Sequence, residues 1–156
     1  MNDLKQKAIA LGLCAEFQAK WSDESSYLVD MYKTGVTWCL ANKYPSLVDM
    51  LLYDELLAEN NVFNSRLVDL FLNGDTYVFN DCSGKLEIND YNVARAYFGL
   101  NSNVKITAKD ESYLYLDLYD NTNIQLVVEG NANVTAYCYG NSVVQILSGT
   151  AKIIRK

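Results

Sequence analysis

From residue 104 onward an apolar residue returns at every tenth position: Val104, Leu114, Ile124, Val134, Val144 and finally Ile154. Each opens a short run in which apolar and polar residues alternate. Val104, Ile106 and Ala108 alternate with Lys105, Thr107 and Lys109, and Leu114, Leu116 and Leu118 repeat the pattern one unit later. A period of two sends successive side chains to opposite faces of a strand, so each unit reads as one strand with one buried face. Small residues precede the runs at the same interval: Ser102, Ser112, Thr122, Ala132 and Ser142. The links Asp120-Asn121-Thr122-Asn123 and Gly130-Asn131-Ala132-Asn133 are rich in residues that tolerate left-handed backbone angles, which makes them corners. Intervals this regular mark a repeat architecture.

A strand-plus-corner unit of this length fits two folds. In a parallel β-solenoid two units make one turn, and residue i stacks on residue i+20. In an antiparallel meander each unit pairs with the next in reverse. Asn101, Asn121 and Asn141 would form an amide ladder up one solenoid corner, and Asn123 would lie above Asn103. Hairpin turns need no such column. The inward rows also carry almost no charge. The ladder favours the solenoid, with the meander as the alternative. Upstream, Leu70, Val78, Leu86 and Ala94 recur at eight, which extends the inward row back to about Val68 with shorter units.

Residues 1–61 read differently. Leu4, Ile9, Leu13, Phe17 and Trp21 recur at helical spacing behind a cap at Asn2 or Asp3. Ser22-Asp23-Glu24-Ser25 breaks this helix. A second helix carries Leu28, Met31 and Tyr32 past Gly35 to Cys39 and Leu40, and the single proline, Pro45, ends it by restricting Tyr44. Ser46 with Asp49 forms the start of a third helix through Leu47, Leu51 and Leu56, and Asn60-Asn61 breaks the chain again. Trp21, Trp38 and the Leu/Met stripe then form a small helical core. The predicted class is α+β: a helical head over residues 1–61, then a short-repeat parallel β-solenoid (β-helix) over residues 62–156. The head would cap one end of the solenoid, and Lys152-Ile153-Ile154-Arg155-Lys156 would guard the other edge with charge.

A short helical head (Leu11-Gly12-Leu13-Cys14-Ala15-Glu16-Phe17, then Tyr44-Pro45-Ser46-Leu47) precedes strands written Asn-x-Asn-Val-x-Ile or Gly-Asn-Ala-Asn-Val-x-Ala. In this the chain resembles small uncharacterised bacterial and phage-encoded proteins that end in a short-repeat β-solenoid. The resemblance implies the fold and a bacterial or phage origin. It carries over no functional residues.

The chemistry that is missing narrows the function. The chain has no histidine, which removes Ser-His-Asp and Cys-His catalysis and HExxH metal sites. Cys14, Cys39, Cys82 and Cys138 form no CxxC pair and read as buried free thiols. No GxGxxG, GxxxxGK[ST] or GxSxG occurs, and no Gly-Gly, so phosphate loops, nucleophile elbows and calcium-binding nonapeptides are all absent. Asp110, Glu111 and Asp120 lie at corners but would not converge on one ion, because Asp110 stacks near Gly130. Asp117 and Glu129 fall on opposite faces and cannot flank one glycosidic bond. No cofactor, no metal and no catalytic residue is expected. The net charge of −6 argues against a sequence-independent nucleic-acid binder. No apolar run reaches the ~20 residues of a membrane span, and Met1–Lys7 is no signal peptide, so a cytoplasmic location is expected, with a virion or cell surface as the alternative.

The outward positions carry the functional reading. One face would hold Lys105, Gln125 and Gln145, then Thr107, Val127 and Leu147, then Lys109 and Glu129. The other would hold Tyr97, Asp117 and Tyr137 in one column, Tyr119 and Tyr139 in the next, and Arg95, Tyr115, Thr135 and Arg155 in a third. Tyrosine offers stiff amphipathic area with a polar tip, and Tyr with Arg is the enriched chemistry of interface hot spots. Tyrosine is also simply a good strand former. The candidate binding residues are Arg95, Tyr97, Tyr115, Asp117, Tyr119, Tyr137, Tyr139 and Arg155. The expected function is non-enzymatic: a protein-binding or structural module that uses this face for a partner or a second copy of itself. Glycan binding by the same rings is the alternative, and hydrolysis at a site that no motif marks is a third reading.

Overall fold

The structure, a computed structural model, describes residues 2–22 and 24–156, without the side chain of Asn2. The chain divides into two compact units, Met1–Asn60 and Asn61–Lys156.

Among the described residues the first unit holds six short helices: α1 (Asn2–Ala10), α2 (Ala15–Ala19), α3 (Ser25–Thr34), α4 (Val36–Ala41), α5 (Leu47–Leu51) and α6 (Asp54–Glu59). Each of the three helices expected from the periodicity is therefore broken in two. Gly12, at φ +86, takes the chain out of α1, and Gly35 separates α3 from α4. A side chain at Gly35 would crowd the Met31 carbonyl, so the glycine is also a close-packing position. Helix α4 stops at Ala41, ahead of the expected Pro45 stop, because Lys43 turns to φ 51. Ser46 caps α5 as expected: its Oγ accepts from the Asp49 N–H at 3.2 Å and donates to Asp49 Oδ2 at 2.6 Å. Asp3 lies inside the first turn of α1 and is not its cap. The side chain of Asn2, the other expected cap, and Asp23, part of the expected break, lie outside the described residues.

The second unit is a parallel β-solenoid. One sheet, A, has the order β1-β3-β5-β7-β9-β11 and the other, B, the order β10-β8-β6-β4-β2. Sheet A contains β1 (Val62–Asn64), β3 (Thr76–Asn80), β5 (Val93–Gly99), β7 (Tyr113–Leu118), β9 (Asn133–Cys138) and β11 (Lys152–Arg155). Sheet B contains β2 (Leu67–Phe71), β4 (Ser83–Ile88), β6 (Asn103–Ala108), β8 (Asn123–Val128) and β10 (Val143–Ser148). Val104 pairs with Ile124 and Ile124 with Val144 in adjacent parallel strands, and Leu114 pairs with Val134. The antiparallel meander is excluded.

Stacking like on like fills the interior. Val104, Ile106, Ala108, Leu114, Leu116, Leu118, Ile124 and Leu126 are buried in one apolar cluster. The rings of Phe63, Phe79 and Phe98 stack up the axis at 5.4 and 4.9 Å between centroids. The corners are equally periodic. Asp90, Leu100, Asp110, Asp120, Gly130 and Gly140 all take positive φ. The next residue forms the amide ladder: Asn121 Nδ2 donates to Asn101 Oδ1 at 3.3 Å, and Asn141 Nδ2 donates to Asn121 Oδ1 at 3.4 Å. One position on, the hydroxyls of Ser102, Ser112 and Thr122 turn inward and donate to the carbonyls of Gly99, Lys109 and Tyr119 at 2.9, 2.7 and 2.7 Å. That is why the row preceding each strand is small and mostly hydroxylated: these three hydroxyls close their own corners inside the solenoid, while that of Ser142 in the last corner finds no partner among the described residues.

The ends depart from the twenty-residue turn. Val62 pairs with Val78 and Leu67 with Ser83, an offset of sixteen. Thr76 pairs with Arg95 and Ser83 with Asn103, offsets of nineteen and twenty. Leu70 does stack on Leu86, but Val78 pairs with Val62 and Tyr97 on the outward side of sheet A, where the eight-residue row predicts an inward residue. Tyr77 and Phe79 are the inward pair there. At the other end β10 is irregular after Ile146, so Ser148 and not Leu147 pairs with Val127. Lys152 then pairs with Thr135 and Ile154 with Tyr137, which moves Ile154 out of the ten-residue row and onto the outward face.

Two glycines separate backbone strain from steric contact. Gly84, at φ +130, runs against the preceding turn so closely that a Cβ would overlap the Val68 carbonyl. Gly140, at φ +65, leaves 3.6 Å to Asp120. Gly140→Ala should cost about 1 kcal/mol, the left-handed penalty alone. Gly84→Ala should cost about 3 kcal/mol or more, because the backbone must move as well. Urea midpoints of the two variants check the difference; equal losses would refute it.

Candidate functional site

The outward face of sheet A gathers the tyrosines. Its side chains form four columns across β5, β7 and β9. The first holds Val93, Tyr113 and Asn133, and the second Arg95, Tyr115 and Thr135. The third holds Tyr97, Asp117 and Tyr137. In the fourth, the Tyr119 and Tyr139 rings stack at 4.6 Å and 7°.

The face is split lengthwise by burial. Tyr97 and Tyr119 are each 7% exposed and Asp117 is 2% exposed, while Tyr137 and Tyr139 are half-buried. Tyr113 and Tyr115 are 46% and 40% exposed, beside the exposed Val93 and Arg95, with Tyr91 at 83% in the corner leading into β5. The expected open face of five tyrosines is thus corrected. Tyr97, Asp117 and Tyr119 are structural in place, and the open strip lies in the first two columns. The buried columns extend to Val62 and Val78 and to Asn64 and Asn80, whose side chains join through Asn80 Nδ2 to Asn64 Oδ1 at 3.0 Å.

A carboxylate buried on this face needs a cation. Arg95 provides it from one strand below, donating to Asp117 Oδ2 from Nε at 2.9 Å and from Nη2 at 2.8 Å. The same guanidinium lies over the Tyr97 ring, 5.1 Å from its centroid. Burial works against the Arg95 cation, but the hydrogen bond and charge of Asp117 outweigh it and its pKa rises. Burial pushes the Tyr97 hydroxyl up, partly offset by Arg95, and pushes the Tyr119 hydroxyl up further, with Tyr139 adding to it. These phenols stay neutral through the physiological range.

Arg155 is the one candidate that leaves the face. Its Cα partner is Cys138, not Thr135, and its Nη1 donates to the Ser142 carbonyl at 3.3 Å. Lys152 takes the place expected for it above Thr135, and Lys156 lies over the Tyr137 ring at 5.6 Å. Tyr91, Val93 and Tyr113 were missed by the sequence reading. Tyr113 stands one residue before Leu114 and so has outward parity, which was the available signal.

Several acidic side chains elsewhere on the solenoid are engaged. Glu87 pairs with Lys109 at 3.2 Å on sheet B, and Asp110 and Asp120 accept from the backbone N–H groups of Asp90 and Leu100 one turn below at 3.1 and 3.2 Å. Among the described residues no group of three His, Cys, Asp or Glu side chains could hold a metal, and no helix is long and apolar enough to cross a membrane. Cys39, Cys82 and Cys138 are buried as expected, and burial pushes the Cys39 thiol up to about 12. Cys14 is exposed, against expectation, because it precedes α2 instead of sitting within a helix. No protein-family model, curated protein or solved structure matches the chain.

Removing Arg95 would leave the Asp117 charge buried and unpaired. Arg95→Ala should therefore destabilise the solenoid by about 2 kcal/mol, discounted from a fully buried pair because the arginine is half exposed. Adding Asp117→Asn should recover part of the loss. Denaturation midpoints of the single and double variants measure it; no loss in Arg95→Ala would show that the pair contributes nothing.

Proposed function

We propose that this chain is a non-enzymatic binding module, in which the open strip of the solenoid engages a protein partner. The observation that supports the reading is the side-by-side exposure of Tyr113 and Tyr115, flanked by Val93, Tyr91 and Arg95, on an otherwise rigid parallel ladder. Rings held on strands lose little conformational entropy on binding, because the fold has already ordered them. The strip combines aromatic area with a guanidinium at its edge, which is hot-spot composition. Arg95 reaches the strip with part of its surface while its inner donors hold Asp117. The lack of histidine and the pairing of Asp117 with Arg95 make the face better suited to adhesion than to turnover. The thiol set suits a reducing, cytoplasmic setting.

A second copy of the chain and a glycan are competing occupants of the same strip. A photo-crosslinking residue placed at Tyr113 or Tyr115 in producing cells should give a discrete adduct that the same probe at Lys105, on the opposite sheet, does not give. An adduct of twice the chain's mass would identify a second copy. Loss of the adduct in the presence of free sugars would identify a glycan-binding face. Equal adducts from both sheets, or none from the strip, would refute the proposal.

A further inference from the structure

The helical unit is not packed solid. Its helices surround a cavity of about 260 Å³, open on one side, and every residue lining it falls between Leu4 and Leu57. Six aromatic rings line it: Phe17, Trp21, Tyr32, Trp38, Tyr44 and Tyr53. Protein interiors ordinarily close to near-crystalline density, and an unfilled volume is destabilising in proportion to its size. A stripe of large apolar residues at helical spacing should therefore close on itself. Here it leaves a chamber instead.

The walls are fixed. Trp38 and Tyr44 meet edge to face at 5.8 Å and 68°, and the Tyr44 hydroxyl donates to the Leu4 carbonyl at 2.8 Å. Burial pushes that hydroxyl's pKa well above its ordinary value, so it stays a neutral donor. Among the described residues the lining holds no lysine or arginine, and its one carboxylate, Asp49, is taken up by Ser46 at 2.6 Å and Lys7 at 3.6 Å. One polar group is left over. The indole Nε1–H of Trp21 is shielded from solvent and meets no acceptor. Indole nitrogen is a donor only, so it can be satisfied only by an acceptor brought to it.

We propose that this cavity is a binding site for an uncharged, planar aromatic molecule of about two fused rings that carries a hydrogen-bond acceptor for Trp21. Size sets the ring count: an apolar cavity of ~150 Å³ admits benzene, so this one takes roughly twice that ring area. Ring-lined walls favour an aromatic guest through offset and edge-to-face contacts. The absence of a lining cation disfavours a fatty-acid carboxylate of similar volume. This site is independent of the tyrosine strip, and either can fail alone.

Trp21 and Trp38 are the only tryptophans in the chain, so intrinsic fluorescence reports directly from the cavity wall. The probes are 2-acetylnaphthalene, which has an acceptor, naphthalene, which has none, and decanoate, an anionic chain. With the full chain, 2-acetylnaphthalene should quench tryptophan emission saturably at one equivalent and bind at least tenfold more tightly than decanoate. Trp21→Phe should weaken 2-acetylnaphthalene at least fivefold and leave naphthalene within twofold. Methyl-labelled methionine keeps the test open if that variant fails to fold: in the unmodified chain Met31 and Met50 line the cavity, and their methyl signals should shift with 2-acetylnaphthalene. No saturable quenching and unmoved methyls up to the probe's solubility limit would overturn the site. Equal weakening of both naphthalenes in a folded Trp21→Phe would overturn the acceptor's role.

Discussion

Everything in the solenoid depends on the hydrogen bonds between parallel turns. Each strand bonds to the equivalent strand one turn away, so a residue's nearest neighbour is its counterpart twenty positions on. Along any column, like must tolerate like. Apolar columns satisfy this inside, where Ile106 and Leu126 are fully buried. Amides satisfy it at the corners, where each asparagine donates to the one below. Hydroxyls satisfy it where Ser102, Ser112 and Thr122 close their own corners, and Ser102 Oγ also accepts from the Cys82 N–H one turn away. Like charge is tolerated only toward solvent, where Lys85 stacks on Lys105; the buried Asp117 lies instead between Tyr97 and Tyr137 and is held by Arg95.

The same rule shapes the candidate face. Tyrosine can follow tyrosine up a column, as the Tyr119 and Tyr139 rings do, and arginine can sit beneath a ring. A flat ladder of aromatic and guanidinium groups is thus an easy surface for this fold to display. One half of it is spent on stability, through buried rings and the Arg95–Asp117 pair, and the other half stands open. Arg95 belongs to both halves. A change there alters the support of the buried columns and the edge of the open strip together.

Much of the fold was legible in the sequence where unit length is constant. Between Val104 and Val144 the parity of apolar residues and the Asn column identify sheet, face and stacking partner without ambiguity. Legibility fails where a turn changes length. The corner at Asp81 and Cys82 is one residue shorter than the corner at Leu100, Asn101 and Ser102, and nothing in its chemistry announces the loss, so Val78 reads as inward when it is outward. The irregularity after Ile146 displaces Ile154 and Arg155 in the same way. For the site, parity separates inward from outward but cannot say which outward residues stay in contact with solvent. Tyr97 and Tyr115 have the same parity and opposite fates. In the helical unit the glycines are visible as residues, but whether a glycine bends a helix or ends it depends on backbone angles that Gly12 and Gly35 take up only in the packed chain.

The twenty-residue register is the point on which the face stands or falls. Spin labels in a Cys14→Ser background, where the remaining native thiols are buried, test it directly. Labels at Lys105 and Gln125 sit on Cα partners in neighbouring strands, whose backbones are ~4.8 Å apart, and should show strong dipolar broadening. Labels at Lys105 and Tyr115 point away from opposite sheets and should show none. Broadening in the second pair and its absence in the first would place each unit beside the next, and the stacked columns, with the binding strip built on them, would not exist.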